Sequence, residues 1–248
     1  MSEIDISRAG AVLELTINRP AKKNALTNAM YRALIEGLDQ AESDASIGAV
    51  LIRGAGGVFT AGNEIADFAR IAQQGGEEMA GVAFVRKIAG FSKPIVAAVE
   101  GLAVGVGCTL LLHCDLVYVT PDARFSLPFV NLGLLPEAGS SLLLPRRVGM
   151  ARASAWLLLA ESFDAHEALA AGLVNAIVAN DALVGHAREK AAALAAKPRA
   201  ALMQARAFLR GDRDEILARV DAELDAFREA LKTPQAQAAL AAFLNKSK

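Results

Sequence analysis

Cysteine is almost missing: Cys108 and Cys114 are the two in 248 residues. They lie six residues apart in an apolar run. That spacing puts them on different helical faces, so they read as buried free thiols rather than a disulfide or a metal pair. His113, His166 and His186 are scattered without ligand spacing, and no metal site is expected. Neither sign of charge prevails. With 26 basic and 27 acidic side chains the formal net charge is -1, which gives no electrostatic footprint for nucleic acid and no basic membrane face. Aromatic residues are scarce at 5%, while alanine is abundant. This balance suits closely packed helices more than an aromatic-rich β-sandwich. Long apolar runs are also missing. The most apolar stretch, Pro94 to Leu112, is interrupted by Glu100 and by glycines, and falls short of a membrane span. The first residues, Met1-Ser-Glu-Ile-Asp-Ile-Ser-Arg8, open with acids and do not read as a signal peptide. The expectation is a cytoplasmic chain.

What is present is apolar bulk, at 54% of residues, enough for one large domain with a well-filled core. Val12–Ile17 alternates and is rich in β-formers, which predicts a strand, followed by a turn over Asn18–Asn24. Thr27 is placed to cap a helix through Met30, Leu34, Ile35 and Leu38. Further strands are expected at Ala49–Arg53, Lys93–Val99, Leu116–Val119 and Arg124–Leu127. Helices are expected at Ile65–Gln74, Glu78–Gly90 and Cys108–Cys114. The alternation indicates a layered α/β class. From Ala151 onward the pattern turns helical: Ala153–Leu159, Ala165–Ala171, Asp181–Ala196, Asp212–Leu231 and Thr233–Phe243. In Asp212–Leu231, the residues Ile216, Val220, Leu224, Phe227 and Leu231 form one stripe, read as core or subunit packing.

Three glycine-bearing segments stand out: Phe59-Thr-Ala-Gly-Asn-Glu-Ile65, Gly101-Leu-Ala-Val-Gly-Val-Gly-Cys108 and Phe129-Val-Asn-Leu-Gly-Leu-Leu-Pro-Glu-Ala-Gly-Ser-Ser141. None is a dinucleotide fingerprint or a nucleotide triphosphate loop, and there is no G-x-S-x-G elbow. Glycine lets backbone N–H groups turn toward a ligand and lets the ligand come close. Two such segments face to face would stabilise an oxyanion; each alone is equally a close-packed turn. In the third segment Glu137 sits among apolar residues. An acid there either caps a helix or does chemistry, and Phe129, Leu132, Leu134 and Leu135 are placed to shield it and raise its pKa.

The order of these segments resembles the enoyl-CoA hydratase/isomerase, or crotonase, family. The resemblance is carried by Asn18-Arg-Pro-Ala-Lys-Lys-Asn-Ala-Leu26, by Phe59–Ile65, by Lys93–Cys108 with Cys114-Asp115, and by Ala170-Ala-Gly-Leu-Val-Asn175. It covers nearly the whole chain. It implies a spiral of repeated ββα units over residues 1–195, and a C-terminal helical region over 196–248 that drives assembly of a homotrimer or hexamer. It also implies an acyl-CoA thioester substrate, whose coenzyme A is part of the substrate and not a separate cofactor. The thioester oxygen would be held by the N–H groups of Asn63 and Val106. CoA would run past Lys23, Ala25, Ala61 and Ile65, with Lys22 or Lys23 near its phosphates. Phe243 and Lys246 would face a neighbour's CoA.

Hydratases of this family use two glutamates. The matching positions here hold Thr109 and Phe129, neither of which is an acid. Glu137, together with Val106 in place of glycine and with Phe129, is instead similar to peroxisomal-type Δ3,Δ2-enoyl-CoA isomerases. The resemblance therefore implies an isomerase with a single-glutamate proton shuttle. Alternatives are an enoyl-CoA hydratase or another acyl-CoA lyase of the family, and a noncatalytic acyl-CoA-binding protein. Glu64 is a second polar candidate for the base. Phe68, Ile71, Met79 and Phe84 are either acyl-pocket lining or core.

Overall fold

A computed structural model describes residues 3–66 and 79–246. The chain opens with a hairpin of β1 (Ile4–Ala9) and β2 (Val12–Ile17), antiparallel from Ile4↔Ile17 to Ala9↔Val12, closed by Gly10 at φ +59°. β1 is an edge strand whose residues after Ile4 are exposed. Its alternation, Ile4-Asp5-Ile6-Ser7, is short and broken at Arg8, which is why sequence periodicity passes over it. β2 is buried along its whole length. Leu13, Leu15 and Ile17 point into the main core. Glu14, on the other side, is held by Arg53 at 2.6 Å and by Arg188 at 2.7 and 2.9 Å. Those bonds pull its pKa below the usual carboxylate range against the opposing effect of burial.

Helix α1 (Asn28–Ser43) begins at the predicted cap: Thr27 Oγ1 accepts from Met30 N at 3.2 Å. It buries Met30, Tyr31, Leu34, Leu38 and Ala41, the stripe a 3.6-residue period places on one face. Next come β3 (Ala49–Gly54), α2 (Ala80–Gly90), β4 (Ile95–Val99) and β5 (Leu102–Val104). The four-residue helix α3 (Val106–Thr109) continues as a 3-10 turn over Leu110–His113, so the helix expected at Cys108–Cys114 starts two residues earlier. Of the helix expected over 65–74, Ile65 and Ala66 are helical and the remainder lies outside the described residues; so does Glu78.

β6 (Leu116–Val119) and β7 (Arg124–Ser126) follow, then α4 (Ser140–Val148), α5 (Met150–Leu158), β8 (Phe163–Asp164), α6 (Ala165–Ala170) and β9 (Ala176–Ile177). α4 was not expected from sequence: Pro145 lies inside it and glycine precedes it, two features that normally mark a break.

The strands form a six-stranded sheet, β1-β2-β3-β4-β6-β9, and a small sheet, β5-β7-β8. Within the large sheet every pairing after the first hairpin is parallel. β4 lies in the large sheet and β5 in the small one, and the chain returns through α3; β6 and β7 repeat the same move. Each of these two turns lays one strand in each layer and comes back through helix, which is the ββα spiral. Parallel strands need such a crossover.

The remaining helices are α7 (Leu183–Ala195), α8 (Arg199–Arg210), α9 (Arg213–Leu231) and α10 (Pro234–Lys246). α7 covers the outer face of the large sheet, packing Leu183, Ala187 and Ala191 on Leu51, Val96 and Tyr118. α9 brings its whole predicted stripe, Ile216 to Leu231, into the main core. The fold is α/β and crotonase-like, with repeated β-α units and a C-terminal helical region. No helix among the described residues is long and apolar enough to cross a membrane.

Candidate active site

The two glycine loops lock together. Thr60 N donates to Leu102 O at 2.9 Å and Val104 N donates to Thr60 O at 3.1 Å, forming the bridge between Thr60 and Ala103. Gly62 (φ +87°) packs so closely that a Cβ there would meet Val104 O at 2.7 Å. A Cβ on Gly107 would meet Thr60 Cγ2 at 2.4 Å. Both residues must therefore be glycine for the loops to reach this separation. On the other side Leu26 N donates to Gly62 O at 2.8 Å and Glu64 N donates to Leu26 O at 2.9 Å, which leaves the intervening Asn63 N–H turned away. Val106 is the first residue of α3, where no preceding turn supplies an acceptor. Among the described residues neither N–H is engaged by a protein acceptor. Asn63, Val106 and Glu137 line one pocket together with Leu26, Tyr31, Val82, Leu224 and Phe227.

Glu137 is 6% exposed. Thr109 Oγ1 donates to its Oε1, so the threonine holds the acid in place. Burial, with a smaller contribution from the negative charge of Glu223, pushes its pKa up to about 7 against the lowering effect of the Thr109 bond. The carboxyl thus gains and loses its proton near neutral pH. Ala138 (φ +62°) and Gly139 (φ +69°) follow in left-handed conformation. For alanine that costs about 1–2 kcal/mol, and the turn is pinned from two sides. His113 Nε2 donates to Ala138 O at 2.7 Å. The Glu223 carboxylate accepts from Gly139 N at 2.6 Å and from Ser141 N at 2.9 Å. The capping role open to Glu137 in the sequence thus belongs to Glu223.

Glu223 and Tyr31 are the site residues that sequence reasoning missed. Each had a signal: a polar group on an otherwise apolar helical stripe, among Val220, Leu224 and Phe227 for one and Met30, Leu34 and Leu38 for the other. The Tyr31 hydroxyl donates to Asn63 Oδ1, and burial, with the charge of Glu137, holds its pKa well above the usual phenol value.

The pocket opens into a groove that shares Asn63, Glu64 and Phe227 with it and is lined by Ala25, Ala61, Ile65, Phe129, Leu132, Leu134 and Phe243. Four of the residues expected along CoA are thus neighbours, Phe243 reaching the groove of its own chain. Lys23 is exposed at the end of the 3-10 turn Pro20–Lys22 and its carbonyl accepts from Ala61 N at 2.9 Å. The side chain of Lys246 lies outside the described residues, as do Phe68 and Ile71. Met79 lines the pocket, whereas Phe84 is core, its ring 5.4 Å from that of Tyr31. Glu64 is engaged by Arg19 at 2.7 Å.

Shielding of Glu137 differs from expectation: Phe129, Leu132 and Leu134 line the adjoining groove and not the pocket that holds Glu137. Leu135 is 39% exposed and does not cover it, because the chain turns outward between the 3-10 turn Val130–Leu132 and α4. Leu224 and Phe227 of α9 form that wall instead. Cys108 and Cys114 are buried and free. Among the described residues no group of three or more His, Cys, Asp or Glu side chains is arranged to hold a metal ion.

A family model described as enoyl-CoA hydratase/isomerase matches residues 7–248. The 2,3-dehydroadipyl-CoA hydratase of Escherichia coli K12 is 36% identical over 99% of this chain and 97% of its own length. Enoyl-CoA delta isomerase 2 of Rattus norvegicus is 39% identical over 69% of this chain, which spans 45% of that longer protein. The crystal structure of an enoyl-CoA hydratase/isomerase from Pseudoalteromonas atlantica superposes with a TM-score of 0.93 at 40% identity, covering 99% of this chain and 98% of the other. With the spiral fold and the two paired glycine loops already in place, these matches make the chain a member of the enoyl-CoA hydratase/isomerase, or crotonase, family of enzymes.

Proposed function

We propose that this enzyme moves the double bond of a 3-enoyl-CoA to give the trans-2-enoyl-CoA, with Glu137 as its single proton shuttle. The observation that carries this reading is the site's acid content. Glu137 is buried in the pocket, while Thr109 and Phe129 occupy the positions where a hydratase of the family would carry carboxylates. Glu64, the other acid lining that pocket, is paired with Arg19.

The C2 proton of a 3-enoyl thioester is acidic because the resulting dienolate spreads charge onto the thioester oxygen. Ionised Glu137 takes that proton, and the N–H groups of Asn63 and Val106 stabilise the oxyanion. Protonated Glu137 then returns the proton to C4, the electrons shift, and the C2–C3 double bond is formed. One group suffices because it acts first as base and then as acid, and a pKa near 7 serves both roles. Each oxyanion donor contributes about 3–4 kcal/mol to such a step.

Hydration is the second reading. It is favoured by relatives named as hydratases, the Escherichia coli protein above and a short-chain-enoyl-CoA hydratase of Clostridium acetobutylicum at 32% identity. In that reaction Glu137 would activate water alone. Incubation with 2-enoyl- and 3-enoyl-CoA separates the two, since hydration alone adds the mass of water. Isomerisation of the 3-enoyl substrate by the wild type, abolished in Glu137→Gln with CoA binding retained, is the expected result. A Glu137→Gln variant with full activity would sink the assignment. Assembly as a homotrimer or hexamer belongs to the same reading. It is supported by Met150 and Leu158 on α5, Leu159 just after it, and Phe208 and Leu209 on α8, which leave large apolar side chains exposed.

A further inference from the structure

Glu223 lies on the apolar stripe of α9 and is 8% exposed. A buried carboxylate brought in from a distant helix is a costly way to cap α4. Caps are ordinarily made by a hydroxyl or short polar side chain at the residue before the helix; here that residue is Gly139, which has none, and the buried Ser140 hydroxyl has no partner among the described residues. The bonds that Glu223 does make are informative about its use. They go to Gly139 and Ser141, two and four residues beyond Glu137, while Ala138 is pinned by His113 from the opposite side.

We propose, on the reading of Glu137 as the proton shuttle, that Glu223 is its positioning residue. Through the Gly139 and Ser141 N–H groups it holds the left-handed turn that aims Glu137, and it sets a second negative charge behind the reactive carboxylate. That charge disfavours ionised Glu137 and keeps its protonated form populated for the return step. The groups around the pair leave this field largely uncancelled. Tyr31 of α1, Asn63 and Glu64 of the loop after β3, Cys108 and Thr109 of α3 and His113 of the following turn face Glu137 or the turn after it. Burial and the nearby Arg210, Arg147 and Arg206 push the His113 pKa down to about 3, so it stays neutral. Burial pushes the Glu223 pKa up, while its bonds to Ser141 and Gly139 and the charge of Arg219 favour the ionised form; Arg219, on the outer side of α9, also donates to Ser141 Oγ at 3.2 Å.

The test is a 13C titration of the Glu137 carboxyl by NMR in protein labelled at glutamate Cδ, the resonance being assigned by its loss in Glu137→Gln. Glu223→Gln should lower the midpoint by about one pH unit, Glu223→Asp should lower it less, and the acid limb of the kcat profile should follow. An unchanged midpoint in folded Glu223→Gln overturns the proposal. Should that variant not fold, Arg219→Ala serves instead. Removal of the outer cation should raise the Glu137 midpoint, and an unchanged value overturns the proposal equally. The carboxyl is read directly, so the outcome is separate from turnover. A wild type that titrates as expected but leaves 3-enoyl-CoA unchanged rejects the isomerase reading and supports the coupling.

Discussion

A carboxyl with its proton affinity near neutrality weakens the fold wherever it is ionised. The folded-state pKa of Glu137 is about 7 against an ordinary value of 4.5. Between those values the native state binds more protons than the unfolded chain, so the free energy of unfolding falls as pH rises through that window. The difference amounts to on the order of 3 kcal/mol. Glu137→Gln removes this cost together with the proposed proton shuttle. It is therefore expected to melt several degrees above the wild type at about pH 8.5, with the gap closing at about pH 4.5, where the native carboxyl is already neutral. An equal gap at both pH values would show that burial is not its source. Thr109→Val should act in the opposite sense on proton release. Without the donated hydroxyl the carboxylate loses its stabilising bond, and the acid limb of the kcat profile moves upward by about one unit. A pH profile at saturating substrate reads the shift, and an unchanged limb would mean that the Thr109 bond does not bear on the ionised form. At this scale the sequence was legible where residue type alone speaks: Glu137, an acid among apolar residues, is buried and lines the pocket. Tyr31 and Glu223 were not, because a polar residue on an apolar stripe reveals a partner only after two distant elements meet.

The proposed oxyanion site belongs to a pair of loops, not to either loop alone. Neither glycine segment was distinguishable in sequence from a tight turn, since the decisive quantity is the distance between segments about forty residues apart. Strands β3, β4 and β6 were legible because buried parallel strands read as short apolar runs, and β2 because it alternates and is rich in β-formers. The edge strand β1 and the two-residue strands β8 and β9 left no such trace. Gly62→Ala tests the paired-loop arrangement. The new Cβ would lie 2.7 Å from a backbone oxygen at a φ of +87°, so neither the neighbour nor the residue itself can adjust cheaply. The expected result is a loss of about 1–3 kcal/mol in stability and a fall of about 100-fold in kcat as the Asn63 N–H is displaced. Full kcat in a folded variant would remove that N–H from the site.

At the scale of the whole molecule, the helical last third completes a site begun by the spiral. α9 supplies Leu224 and Phe227 to the pocket around Glu137, and Glu223 to the turn that follows it. α10 packs Ala236 against the turn at Gly133, where a Cβ would meet Ala236 N at 3.0 Å. That contact fixes the angle at which the helix crosses the groove and brings Phe243 beside Ala25, Ala61 and Ile65. Phe243 stands 48% exposed at the rim, so its loss should cost the fold little and act on whatever fills the groove. If the groove takes the CoA portion of the thioester, Phe243→Ala forfeits roughly 1 kcal/mol of apolar contact, a rise of about 5-fold in KM at constant kcat. A truncated N-acetylcysteamine thioester lacks most of that portion, and its KM should not move. A change in acyl chain-length preference instead, with both thioesters affected alike, would assign the groove to the acyl tail and place CoA elsewhere on the surface.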